Sequence, residues 1–165
     1  MTFAPKTWIV GETVTAALLN QEIRDQFNSM FDAWTTYTPT WTATTNPALG
    51  NGVLTGRYLK VGRKCLADIR LEMGSTTTYG SGAYAFSVPF AATSAVVDYL
   101  GTARLAAGAS TWAGQAVMSA GSTVFSCTFP TSATDSRAAS MTGAAPSTLA
   151  AGHILRAQIE YQTAN

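Results

Sequence analysis

The stretch KCLADIRLEM, residues 64–73, decides the fold class. Cys65, Ala67, Ile69, Leu71 and Met73 alternate with Leu66, Asp68, Arg70 and Glu72. Successive side chains of a strand point to opposite faces, so this period of two predicts one apolar face and one mostly solvated face. The preceding run VLTGRYLKV, residues 53–61, reads as a partner strand, with Gly56 as the expected site of a bulge. Gly62-Arg63 is the tight connection that makes the pair a hairpin.

The same texture extends in both directions. Tyr84, Phe86, Val88 and Phe90 alternate with small residues. Further strands are expected at 96–105, 112–119 and 123–129, separated by Ala107-Gly108 and Ala120-Gly121-Ser122. Residues 130–146 read as a long loop with one strand at 138–143. Residues 153–162 close the chain, with Leu155, Ala157, Ile159 and Tyr161 opposed to Arg156, Gln158 and Glu160. Towards the N-terminus, residues 37–42 read as an edge strand, because Pro39 cannot donate to a ladder. Asn46-Pro47 and Gly50-Asn51-Gly52 are turn chemistry. About eight strands with no helical pattern between them predict an antiparallel, jelly-roll-like β-sandwich over residues 37–165.

One helix precedes this body. VTAALLNQEIRDQFNSMFDAW, residues 14–34, places Leu19, Ile23, Phe27, Met30, Phe31 and Trp34 on one apolar face. Thr15 fits the N-cap, and Val14 and Leu19 have the spacing of a hydrophobic staple. As a heptad, Ala16, Leu19, Ile23, Gln26, Met30 and Ala33 occupy a and d. Two readings stay open: a helix packed on its own β body, or a short bundle of identical helices from several chains. Charged residues are 12% of the chain, against roughly 25% in an average soluble domain. So sparse a charge fits a surface partly buried in an oligomer. Residues 1–13 form an extended arm whose Phe3, Trp8, Ile9 and Val10 need a surface to bury against. The expected organisation is therefore an attachment arm at 1–13, an oligomerisation helix at 14–36 and the β body at 37–165.

A net charge of +1 gives no footprint for nucleic acid or an anionic membrane. No apolar run approaches the ~18 residues of a bilayer span, and the opening residues lack a signal peptide, so synthesis in a cytoplasm is expected. Cys65 and Cys127 lie in apolar strand patterns, as buried thiols or as a disulfide. His153 has no recognisable partner and reads as a structural histidine before a base or ligand. Asp68 and Glu72 flank Arg70 as a surface charge ladder rather than an acid–base pair. No zinc spacing, phosphate loop or nucleophile elbow is present, so no metal, cofactor or catalytic residue is expected. Loop aromatics remain: Tyr79 and Trp112 suit either sugar stacking or packing. Asp135 and Arg137 lie in a Thr/Ser-rich segment that could bond hydroxyls.

GETVTAALLNQEIRDQFNSMF resembles the N-terminal helix of minor tail and tail-fibre proteins of phages that infect actinobacteria and related hosts. The shared pattern is G-E-x-V-T-A-A-x-x-N-x-x-I-R-D-x-x-N, here Gly11, Glu12, Val14, Thr15, Ala16, Ala17, Asn20, Ile23, Arg24, Asp25 and Asn28. YTPTWTATTNPALGNGVLTGRYLKVG and STTTYGSGAYAFSVP are similar to the β domain that follows in that family, and the likeness runs over residues 11–89. It implies a non-enzymatic virion protein, a siphophage-type tail fibre, tail-tip or minor tail protein assembled in the host cytoplasm. It also implies a homotrimer; the heptad and the apolar face put its helix interface on Leu19, Ile23, Gln26 and Met30. Phe3, Trp8 and Ile9 would dock on other tail or baseplate proteins. Tyr79, Trp112, Asp135 and Arg137 would meet a host surface glycan. The competing expectations are a capsid decoration or head-fibre protein without a receptor role, and a glycan depolymerase. Few acids, a lone histidine and a short body argue against the enzyme.

Overall fold

In a computed structural model of the chain, the described residues are 6–31, 33–94, 97–132 and 134–164. β3 (Val53–Val61) and β4 (Lys64–Glu72) pair antiparallel without interruption from Val53↔Glu72 to Val61↔Lys64. Cys65, Ala67, Ile69, Leu71 and Met73 are all buried, as their alternation requires. The bulge expected at Gly56 is not there. A Cβ at Gly56 would stand 2.5 Å from the Tyr37 ring and 2.8 Å from Pro39 Cγ, so the glycine makes room for an aromatic cover.

The remaining strands extend this hairpin into one antiparallel sheet. β10 (Ile154–Gln162) pairs with β4 on one side and β6 (Tyr99–Ala107) on the other. Next come β7 (Ser110–Met118), β8 (Val124–Ser132), β5 (Ala85–Ser87) and β2 (Trp41–Thr42), while β1 (Thr35–Tyr37) flanks β3. β9 (Asp135–Ser140) pairs with β8, so much of the loop expected at 130–146 is a hairpin arm. The single edge strand expected at 37–42 is two strands, parted at Pro39 and lying at opposite ends of the sheet order. Residues 38–40 therefore join the two ends, and the sheet curls back on itself. The Ser87 Oγ accepts from the Thr40 N–H at 2.8 Å, and the Tyr37 hydroxyl donates to the Ser87 carbonyl at 3.3 Å. The body is mainly antiparallel β, as expected. The strand pairing makes this body one curled sheet.

The inside of the curl is the core. Trp41 meets Tyr84 edge-on at 5.0 Å and stacks on Phe86 at 6.3 Å, and Phe86 meets Phe125 at 5.8 Å. Leu71, Leu105, Leu155 and Ile159 fill the opposite wall. Each such side chain contributes ~1.5–3 kcal/mol by leaving water.

The helical segment is α1 (Ala16–Leu19), a π-helical turn (Asn20–Arg24) and α2 (Asp25–Ser29). Thr15 caps it as expected, its Oγ1 accepting from the Leu18 N–H at 3.2 Å. It ends before Trp34. That indole sits instead beside β1, with the Arg57 guanidinium 4.6 Å from its centroid. Leu19, Ile23, Phe27, Met30 and Phe31 are exposed, from 42% at Leu19 to 84% at Phe31. Among the described residues, nothing in the chain covers this apolar face.

Candidate binding surfaces

The Asn/Gly-rich turn at 44–52 and the Thr/Gly-rich loop at 74–82 hold each other. Thr45 bridges Ser81, and Ala48 bridges Thr78. The Thr77 hydroxyl donates to the Leu49 carbonyl at 2.6 Å, and the Asn51 Oδ1 accepts from the Thr76 N–H at 2.9 Å. Gly80 has φ +58°, and a Cβ there would collide with the Thr45 carbonyl oxygen. Tyr79 lies in this double loop, half-buried against the core, with its carbonyl accepting from the Tyr84 hydroxyl at 2.7 Å. Burial raises the Tyr79 phenol above its ordinary range. Its backbone and ring thus anchor the loop.

Trp112 and Asp135 are brought together elsewhere. The β7–β8 ladder runs only from Val117↔Ser126 to Gln115↔Thr128. Beyond it comes Pro130, which has no N–H to donate. There the two strands border a groove of about 600 Å³ with the tip of the β8–β9 hairpin. Its lining includes Trp112, Asp135, Thr111, Ser132, Thr134 and Ser136. The Trp112 Nε1 is shielded and has no hydrogen-bond partner among the described residues. Asp135 accepts from the Arg137 Nε at 2.9 Å, Nη2 at 2.7 Å and backbone N–H at 2.9 Å. That side-chain fork, then the backbone N–H, holds the Asp135 carboxyl below the usual carboxylate range. The indole is partly buried against the core; what it leaves open beside these hydroxyls, with the Arg137-paired carboxylate of Asp135, can meet a sugar face and bond its hydroxyls.

The other expected sites lie near the N-terminus. Trp8 and Ile9 are exposed, and the Lys6 ammonium sits 5.5 Å from the Trp8 centroid while pairing with Glu12. Phe3 lies outside the described residues, as does the side chain of Gln26. Leu19, Ile23 and Met30 are on the uncovered helix face. His153 Nδ1 accepts from the Ala150 N–H at 3.3 Å, closing the turn before β10. Cys65 and Cys127 are buried free thiols. Burial pushes the Cys127 thiol up to about 12, and raises the Cys65 thiol against the opposing hydrogen bond of Tyr161. Among the described residues no group of three metal-ligating side chains converges, and no helix is long and apolar enough to cross a membrane.

Sequence reasoning missed one arrangement. Arg156 aligns with Arg70 of β4 and with Arg104 of β6, making a row across three strands. Only the alternation of each strand is readable in advance; the row depends on β10 lying between β4 and β6.

No family model matches the chain, and no solved structure does. Over 58 residues the chain is 41% identical to the Mu-like prophage FluMu defective tail fiber protein of Haemophilus influenzae. That stretch is 35% of this chain and 9% of that protein. The chain thus spans less than a tenth of the length of the curated relative it matches. The likeness supports a phage tail fibre family and carries nothing specific to phages of actinobacteria.

Proposed function

We propose that the protein is a non-enzymatic structural component of a phage tail, a tail fibre or tail-tip protein. The observation that carries this reading is the 41% identity over 58 residues to a protein named as a tail fibre. The uncovered helix face supports its assembly as a homotrimer through Leu19, Ile23 and Met30, since three such faces bury one another in a bundle. Residues 1–10, with exposed Trp8 and Ile9, dock it on neighbouring virion proteins. The Trp112–Asp135 groove takes a neutral part of a host surface glycan. Each groove binds weakly, and several copies per particle supply avidity.

Competition for adsorption tests the receptor role. The purified protein added to host cells should slow adsorption of the phage that encodes it, and an Asp135→Asn variant should do so less. Adsorption unchanged at saturating protein would remove the receptor role.

A further inference from the structure

Arg156 on β10 stands directly opposite Arg70 on β4 and directly opposite Arg104 on β6. Their flanking residues Ile69 and Leu71, Leu155 and Ala157, Ala103 and Leu105 are buried, so all three arginines emerge on the outer face of the sheet. Like charges directly opposite each other on neighbouring strands destabilise a sheet. The sheet does little to relieve this. Arg70 is neutralised by Glu72, its Nη2 donating to Oε2 at 2.6 Å. The other nearby carboxylate, Asp68, is engaged by the Arg57 Nε at 3.0 Å and by the Gln158 amide at 2.9 Å. Among the described residues Arg104 reaches the Thr111 hydroxyl, at 3.4 Å, and no carboxylate is paired with Arg104 or Arg156. The row lines an open groove of about 600 Å³ that also includes Thr55, Thr102 and Gln158.

We infer that this groove binds the anionic groups of an acidic polysaccharide, with carboxylates held by Arg156 and Arg104. A guanidinium presents a planar fork that matches a carboxylate in two parallel hydrogen bonds. Neighbouring strands repeat about every 4.8 Å, so the cations form a ladder suited to a chain that carries charge repeatedly. Thr55, Thr102 and Gln158 supply partners for the hydroxyls between those charges. A duplex nucleic acid fits less well, because its dense phosphate lattice calls for many cations over a wide face, and the net charge of the chain is only +1. The site is separate from the Trp112–Asp135 groove: the two linings share no residue. That the anion belongs to a saccharide rests on the tail-fibre reading; that the row binds anions does not.

The test uses the full chain in two arms. In the first, inorganic phosphate is titrated at low ionic strength while the arginine Nε–Hε NMR signals are followed. In the second, binding to immobilised polygalacturonate, dextran and duplex DNA is compared. The expected result is phosphate-dependent shifts at Arg104 and Arg156, binding to polygalacturonate and none to dextran. The double variant Arg104→Gln/Arg156→Gln should lose at least tenfold in polygalacturonate affinity, with a melting temperature no lower than that of the unaltered chain. Arg156→Lys, which keeps the charge and loses the fork, should fall between them. Absence of both phosphate shifts and polygalacturonate binding would overturn the site. Phosphate shifts without polygalacturonate binding, or equal binding to DNA, would overturn the polysaccharide assignment. Neither result bears on whether the protein sits on the tail, which labelling of particles decides separately.

Discussion

The Tyr37 ring lies over Gly56, and its hydroxyl crosses to the Ser87 carbonyl at 3.3 Å. One side chain thus covers a gap in β3 and ties it to the other end of the sheet. Desolvation, more than the nearby Cys65 and Asp68, raises the Tyr37 phenol well above its ordinary value. Gly56→Val should force the ring and Pro39 aside and cost ~1–3 kcal/mol, the usual penalty for overpacking. Urea denaturation of the two proteins checks this. Equal midpoints would mean the ring is not held there.

Alkali should unfold the body. Burial pushes the Tyr84 phenol and the Cys127 thiol each up to about 12, from ordinary values of 10.0 and 9.0. The folded state keeps protons that the unfolded chain gives up, so stability falls as pH rises. Their contribution is complete below pH ~9 and is lost as pH climbs through ~12. A urea midpoint that stays flat from neutral pH to beyond the ordinary tyrosine range would contradict it. At pH 8 without denaturant neither thiol should react with an alkylating reagent, and in denaturant both should, without added reductant. A disulfide would leave none to modify.

The helix should hold the assembly together. Ile23→Asp places a charge on the face shared with Leu19 and Met30, and should convert a trimer to monomers while the β-sheet circular dichroism signal persists. Sedimentation velocity at micromolar concentration distinguishes the two. A stable monomer before substitution would end the bundle reading.

Tyr79 and the Asp135–Arg137 pair beside Trp112 should respond differently to substitution. Tyr79→Ala removes a ring packed on the core and should lower stability by ~1–3 kcal/mol through the double loop. Asp135→Asn and Arg137→Ala alter the rim of the Trp112 groove at solvent-facing side chains and should change stability by less than ~0.5 kcal/mol. Their effect should show in adsorption instead. Both rim variants lowering the melting temperature as far as Tyr79→Ala would make the groove a structural element.

Strands with clean alternation were legible to within a residue or two. β4 and β10 each have one face that must be buried, and a slip of one residue would expose it. β9 was harder to place, because Ala138, Ala139 and Ser140 are exposed and carry no pattern. The division at Pro39 was readable as a break, but not its consequence, since nothing local says that two neighbouring strands go to opposite ends of a sheet. Helical periodicity at Met30, Phe31 and Trp34 outran the helix for a similar reason. Trp34 finds its partner in Arg57, which a local pattern does not reveal. Of the site residues, Trp112 and Asp135 were separately visible as side-chain chemistry. Their meeting depends on where the β7–β8 ladder stops.

The most direct measurement is electron microscopy of the phage particles that carry this protein, labelled with gold-conjugated antibody against the β body. Label at the tail fibre or tail tip is the expected result, and it should vanish when residues 1–10 are deleted although the truncated protein stays soluble. Label distributed over the capsid would contradict the tail assignment and identify a head decoration instead.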